Sequence, residues 1–162
     1  MGEPESEGIE LREVRDDDLD IFFEFEKEPA GIWMAAFTAE NPEDRAAFDE
    51  HWAKIRAKDD VLIRTIEADG EVAGSVASFV RDGDREVTYW IGKKFWGRGI
   101  ATAALKQFIE MNEERPLHAR VVKDNGASIR VLEKCGFVIT GEDRGFAAGR
   151  GEEVEEYLMQ LS

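Results

Sequence analysis

One stretch of the chain carries residues whose types and spacing suit anion chemistry: Trp90-Ile91-Gly92-Lys93-Lys94-Phe95-Trp96-Gly97-Arg98-Gly99-Ile100-Ala101-Thr102. An apolar strand end passes through a basic glycine turn and becomes an alanine-rich helix. Such a turn aims several backbone N–H groups at one point, beside the positive N-terminus of a helix. That is a seat for a diphosphate. Gly97 and Gly99 carry no side chain that would hold an anion away from the backbone, and Lys93, Lys94 and Arg98 add positive charge. Two familiar glycine loops are set aside by spacing. The Gly-x-x-x-x-Gly-Lys-Ser/Thr loop of nucleotide hydrolysis is absent. A dinucleotide fingerprint requires a third small residue where Thr102 stands, and it opens a different arrangement of strands.

The elements that must position this turn read as follows. Ile9 to Val14 alternates apolar and polar residues, a half-buried strand. Asp16, Asp17 and Asp18 supply a helix cap and first-turn acids, with Leu19, Phe22 and Phe23 at helical spacing. Pro29 to Gly31 breaks this element. Asn41-Pro42 signals a new helix start, with Ala46, Phe48, Trp52 and Ile55 on one side, to about Lys58. Two helices, or one broken helix, therefore separate the first strand from the second. Val61 to Glu67, Glu71 to Val80 and Glu86 to Ile91 read as strands joined at Asp69-Gly70 and Asp82-Gly83-Asp84. The helix behind the glycine turn runs from about Arg98 to Asn112, with Ile100, Leu105, Phe108 and Ile109 inward. Leu117 to Val122 is a fifth strand. Asp124 to Ser128 opens another helix that stops at Gly136. Phe137 to Thr140 and Val154 to Leu161 are the last strands. The fold class is α+β: a mixed, mostly antiparallel sheet with helices on its faces.

At 162 residues the chain fits one domain, 9–162, behind an acidic N-terminus, 1–8, that reads as disordered. No apolar run reaches the length of a membrane helix and no secretory signal opens the chain. The single cysteine, Cys135, excludes an internal disulfide framework and suits a reducing cytoplasm. A net charge of −15 opposes binding to nucleic acid or to anionic membranes. The charge is uneven. Residues 1–60 hold nineteen acidic against seven basic residues, whereas residues 93–134 hold nine basic against five acidic. An anionic cofactor suits the basic island, and a cationic amine suits the acidic part; a merely solvating acidic surface explains the latter equally well.

Trp96-x-x-Gly99-x-Ala101 resembles the Gln/Arg-x-x-Gly-x-Gly/Ala loop of the GNAT acyltransferases, with Trp96 in place of the usual Gln or Arg. Downstream, Asn125-x-x-Ser128 and Leu132-Glu133-Lys134-Cys135-Gly136-Phe137 are similar to a second segment of the same family. Both segments look most like the branch of ribosomal-protein N-terminal acetyltransferases, and the likeness spans roughly 9–161. The resemblance implies a three-layer fold of about seven strands, splayed between the fourth and fifth. It implies acetyl-CoA as acyl donor, with no metal. The diphosphate would sit on the N–H groups of Gly97, Arg98, Gly99, Ile100, Ala101 and Thr102, next to Trp96. The pantetheine arm would lie along Trp90, Ile91 and Lys93, with Asn125 on its other side. Many members place a tyrosine acid where Leu132 stands here; in the ribosomal-protein branch a serine matching Ser128 is the proposed acid, and the resemblance gives Ser128 that role. For the base, Glu86 stands one residue from the family's glutamate position, which falls on Arg85, so a strand bulge would be needed to correct the register. Glu67 is a rival, the second glutamate position falls on Arg120, and His118 and His51 lack motif support.

The implied activity is transfer of an acetyl group from acetyl-CoA to a primary amine, a peptide N-terminus or a small molecule. An acyl-CoA-binding regulatory module of the same fold is the alternative reading. A homodimer is compatible with either.

Overall fold

The computed structural model describes residues 8–162; the expected disorder of the N-terminus falls almost wholly outside them. The elements are β1 (Ile9–Arg12), α1 (Asp16–Glu26), α2 (Pro29–Ala35), α3 (Arg45–Ala57), β2 (Leu62–Ala68), β3 (Glu71–Arg81), β4 (Asp84–Ile91), α4 (Ile100–Met111), β5 (Leu117–Val122), α5 (Gly126–Lys134), β6 (Val138–Ala147) and β7 (Glu152–Leu161). The seven strands form one sheet in the order β1-β2-β3-β4-β5-β7-β6. Every pairing is antiparallel except β4 with β5. That parallel pair is short: Arg85 lies opposite Leu117 and Glu86 opposite His118, after which the strands part. The expected splay is there, and it opens along the rest of β4.

Both hairpin turns follow from their dipeptides. Asp69 and Gly70 have φ of 51° and 83°, and Asp82 and Gly83 have 52° and 85°. Two successive positive φ values make the turn whose twist matches a hairpin, and Asp-Gly tolerates it best. These turns fix the register of β2, β3 and β4. The β3–β4 ladder runs unbroken from Gly74–Ile91 to Arg81–Asp84.

The segment between β1 and β2 departs from expectation in holding three helices. Pro29 starts α2 at its first position instead of ending a helix, because proline fits where no N–H partner is needed. The Glu28 carboxylate caps it, accepting from the Ala30 N–H at 2.7 Å. The start signal at Asn41-Pro42 makes only a local turn, and α3 begins at Arg45 under an Asp44 cap that accepts from the Ala47 N–H at 3.0 Å.

Helices cover both faces. On one face α4 and α5 bury Ile100, Leu105, Phe108 and Leu132 against Ile66, Val76, Val87, Leu117, Val121 and Met159. On the other, α1 and α3 bury Phe22 and Trp52, stacked at 5.2 Å, against Ile63 and Ala77. Asp18, 3% exposed, anchors this layer. It takes two bonds from Arg12, one from Thr65 Oγ1 at 2.7 Å and one from the Arg15 N–H at 2.8 Å. Gly136, at φ 97°, ends α5: its N–H reaches the Glu133 carbonyl and the Phe137 N–H reaches that of Leu132. Among the described residues no helix is long and apolar enough to cross a membrane.

Candidate active site

The strands part at Glu86, and a cleft of about 860 Å³ fills the opening. Alternation along β4 decides what faces it. The Gly92 N–H donates to the Ala73 carbonyl, so Trp90 and Thr88 also spend their backbone bonds on β3, and Tyr89 and Ile91 turn theirs toward the gap. Ile91, not Trp90, is therefore the backbone edge at the cleft. Its carbonyl already accepts from Trp96 Nε1 at 2.9 Å. The unusual tryptophan of the loop thus ties the turn to the strand end. The Trp90 side chain lies over Gly31 of α2, where a β-carbon would come within 3.2 Å of the ring, and borders the cleft from that side.

The glycine turn has the expected anion geometry. Gly97 and Gly99 hold φ of 75° and 74°, and Gly99 is the residue before the first turn of α4, which starts at Ile100 and not at Arg98. The Trp96 N–H bonds to the Lys93 carbonyl, and the Ala103 N–H to that of Gly99. Between them, the N–H groups of Gly97, Arg98, Gly99, Ile100, Ala101 and Thr102 meet no acceptor among the described residues. Uncapped N–H groups at a helix start are the natural partners of a diphosphate. A β-carbon at Gly97 would meet nothing within 4 Å, so the turn is open to a ligand.

The basic charge differs from expectation. Lys93 does not line the cleft; its ammonium leans to Glu28 at 3.6 Å. Arg98 lines it but stands 3.8 Å from Asp69. Arg130 and Lys134, on the exposed side of α5, line it as well. Sequence reading missed these two, although their spacing of four residues on one helix places them together.

Glu86 and Ser128 both line the cleft, from opposite faces of the sheet. Glu86 projects with Thr88 to the face that α1 and α3 cover further along. Tyr89 projects with Val87 and Ile91 to the α4–α5 face, where α5 carries Ser128. Glu86 is 7% exposed, with Arg81 at 3.4 Å and Arg120 at 3.8 Å. Burial raises its pKa above the ordinary glutamate value; the two arginines oppose this incompletely. No bulge is needed to bring it there, since the ladder is regular. Arg85 is one residue away and faces the other way, bonded to the Asp60 carbonyl. Arg120 is held by Asp143 and Glu156, each at 2.9 Å. Glu67, the rival base, is bound to Arg12 two strands away and does not reach the cleft. His118 lies opposite Glu86 on β5, 3.6 Å from Asp84, and His51 is exposed on α3.

Asn125 caps α5, accepting from the Ser128 N–H at 3.2 Å, and donates from Nδ2 to the Met34 carbonyl at 3.2 Å. It therefore joins α5 to the end of α2. The β6–β7 tip secures the same wall: Arg150 binds Asp124 through two bonds at 2.8 and 2.9 Å and lies over the Trp33 ring. Ser128 Oγ stands 2.7 Å from Tyr89 Oη. Tyr89 escaped the sequence reading because an aromatic residue in an alternating strand signals only core. Among the described residues no group of three His, Cys, Asp or Glu stands ready for a metal ion.

A sheet splayed at one parallel pair, with a helix-bound anion turn at the mouth of the gap, defines an acyltransferase fold of the GNAT class. Comparison with known proteins agrees. Residues 9–138 match the model of the acetyltransferase (GNAT) domain, and the chain belongs to the GNAT family of N-acetyltransferases. It is 28% identical over 121 residues to the L-amino acid N-acetyltransferase AaaT of Escherichia coli (strain K12), covering 68% of this chain and 75% of that one. The fold is similar to that of Mycobacterium smegmatis RimJ in complex with CoA-disulfide, with TM-score 0.81, 23% identity and coverage of 94% and 81%. It is also similar to the microcin C7 self-immunity acetyltransferase MccE in complex with acetyl-CoA and AMP, with TM-score 0.77, 20% identity and coverage of 95% and 92%. It is also 30% identical over 125 residues to the putative ribosomal N-acetyltransferase YdaF of Bacillus subtilis (strain 168), covering 70% of this chain and 67% of that one, which accords with the branch read from the two sequence segments.

Proposed function

We propose that the chain transfers an acetyl group from acetyl-CoA to a primary amine by direct attack of the amine on the thioester. The observation that carries this reading is the placement of Glu86 and Ser128 on opposite faces of the sheet, across one gap. A base and a proton donor are then available on the two sides of a single carbonyl. The six N–H groups of Gly97–Thr102, without acceptors among the described residues, suit the diphosphate, and the Ile91 N–H, turned toward the gap, suits a pantetheine amide added to the edge of β4. The complexes of RimJ with CoA-disulfide and of MccE with acetyl-CoA are consistent with this assignment.

In this reading the acceptor enters on the Glu86 face. An ammonium must lose one proton before it attacks, and Glu86, directly or through water, takes it. A raised pKa makes that carboxylate a better base near neutral pH. A backbone N–H at the edge of β4 polarises the carbonyl. On the other face Ser128 supplies a hydrogen bond to the departing sulfur. The acceptor is a small amine or a peptide N-terminus; AaaT, by its name, acts on L-amino acids.

The test is calorimetric titration with acetyl-CoA, followed by free-thiol release across a panel of amino acids, polyamines and short peptides. The expected result is saturable binding and thiol release that depends on one class of amine. Binding without amine-dependent release would make the chain an acyl-CoA-binding module, and absence of binding would overturn the cleft assignment.

A further inference from the structure

Ser128 does not stand alone in the cleft. Tyr89 Oη lies 2.7 Å from Ser128 Oγ, the phenol coming from β4 and the alcohol from the first turn of α5. The helix position at which many relatives carry a tyrosine holds Leu132, which is buried in the core. A phenol nevertheless reaches this part of the cleft, from the opposite wall. Two hydroxyls in contact share one hydrogen bond and leave one O–H free. A phenol is the stronger donor and an alcohol the better acceptor, so the Tyr89 O–H donates to Ser128 Oγ. The Ser128 O–H is then the free one, polarised by the bond behind it. Burial pushes the Tyr89 phenol up to about 12, so it keeps its proton throughout the neutral range.

We propose that Tyr89 and Ser128 form a two-hydroxyl donor chain to the departing sulfur, with Tyr89 as the positioning residue behind Ser128. The inference rests on the reading that acetyl-CoA occupies this cleft. The step balances without an acid being spent. The amine's bond to the carbonyl carbon forms, the carbon–sulfur bond breaks, and its electron pair goes to sulfur. The ammonium gives up two protons in all, one before attack and one as the amide forms; Glu86 holds one and water carries away the other. The sulfur leaves as a thiolate accepting the Ser128 hydrogen bond, and it gains a proton from solvent after release. Both hydroxyls keep their protons, as a phenol of raised pKa requires. Tyr89 contributes by fixing the Ser128 rotor and strengthening its donation.

The experiment uses free CoA as probe and Tyr89→Phe, Ser128→Ala and the double variant as proteins, with melting temperature as control. Binding is followed by calorimetry, and the ultraviolet absorbance of the thiolate is titrated for bound CoA, with desulfo-CoA as blank. A donor chain lowers the pKa of the bound thiol. Tyr89→Phe should bind CoA within about twofold of wild type yet raise that pKa by about half to one unit. It should slow single-turnover acetyl transfer about 5- to 10-fold at unchanged KM for acetyl-CoA. Ser128→Ala should shift both further, and the double variant should match Ser128→Ala, because residues acting in series are not additive. A wild-type thiol pKa in Tyr89→Phe, or losses that multiply in the double variant, would overturn the chain. If wild type binds no CoA, the cleft assignment falls first and the donor chain falls with it.

Discussion

Asp18 and Glu86 are both carboxylates buried on the same side of the sheet, 3% and 7% exposed, and their surroundings treat them in opposite ways. Asp18 receives two guanidinium bonds, a hydroxyl and a backbone N–H. Its pKa falls to about 2 because these bonds outweigh the cost of burial. Glu86 is buried too and accepts no hydrogen bond among the described residues, with only arginines at 3.4 and 3.8 Å. Its pKa rises. A fully satisfied carboxylate holds α1 to β1 and β2 and does nothing else. A carboxylate left short of partners, at the one place where the strands separate, keeps an affinity for a proton. On the proposed reading, the chemistry is sited where the bonding is incomplete.

The strongest way to break this contrast is to neutralise both groups. Asp18→Asn should cost about 3 kcal/mol of stability, since it leaves Arg12 without its buried partner, while the acetyl-transfer rate per folded molecule stays at wild type. Glu86→Gln should slow single turnover about 100-fold with little change in melting temperature. Denaturant melts and stopped-flow transfer, run on both variants, would reverse the assignment if the two results were exchanged.

The pH dependence has opposite signs. The folded pKa of Asp18 lies below its unfolded value of about 4. Its stabilisation is therefore complete above that value and lost as the pH falls toward 2. The folded pKa of Glu86 lies above its unfolded value, so its contribution to stability declines as the pH rises through that raised pKa. Transfer should gain rate over the same interval, as the base becomes free, and the Glu86→Gln profile should lack that limb.

A second contrast sets Gly97 against Gly70. Both have positive φ, 75° and 83°, and a β-carbon at either would meet nothing within 4 Å. Alanine should cost each about 1–2 kcal/mol of backbone strain. Only Gly97 belongs to the run of N–H groups without an acceptor among the described residues, where a methyl group would take up space open to the ligand. Acetyl-CoA affinity should fall about 10-fold in Gly97→Ala and stay unchanged in Gly70→Ala, by calorimetry. Equal affinities would remove the diphosphate from this turn.

These contrasts also separate what the sequence made legible from what it did not. The hairpin turns, the glycine turn and the α5 cap were readable because their physics is local: Asp-Gly, Gly-x-Gly and Asn-x-x-Ser act within a few residues of themselves. The helices of 16–57 were counted short because Pro29 serves equally to stop a helix and to start one, and only the Glu28 cap decides between them. Glu86 is legible on its strand one residue from the family position on Arg85, but which of the two faces the cleft is decided by strand alternation, which sends them to opposite faces. Tyr89 was invisible, because its partner is 39 residues away. The splay itself came from the family resemblance, and no pattern in the residues announces where two parallel strands part.

Asn125 is the residue on which the two kinds of region meet, and it carries the smallest expected effect. Its oxygen caps α5 and its amide nitrogen holds the Met34 carbonyl, so much of it is occupied as fully as Asp18. One N–H and one lone pair remain, on the cleft side of α5. Asn125→Asp keeps the cap, which aspartate makes as well as asparagine, and loses the donation to Met34. Asn125→Ala loses both and should cost about 1 kcal/mol in a thermal melt. If the remaining N–H serves a pantetheine amide, both variants should bind acetyl-CoA about 5-fold more weakly, because each has lost that donor. If both bind normally and both only melt earlier, the alanine variant through the lost cap and the aspartate variant through the lost bond to Met34, Asn125 belongs with Asp18: a polar residue whose bonds are all structural, and which borders the cleft without taking part in it.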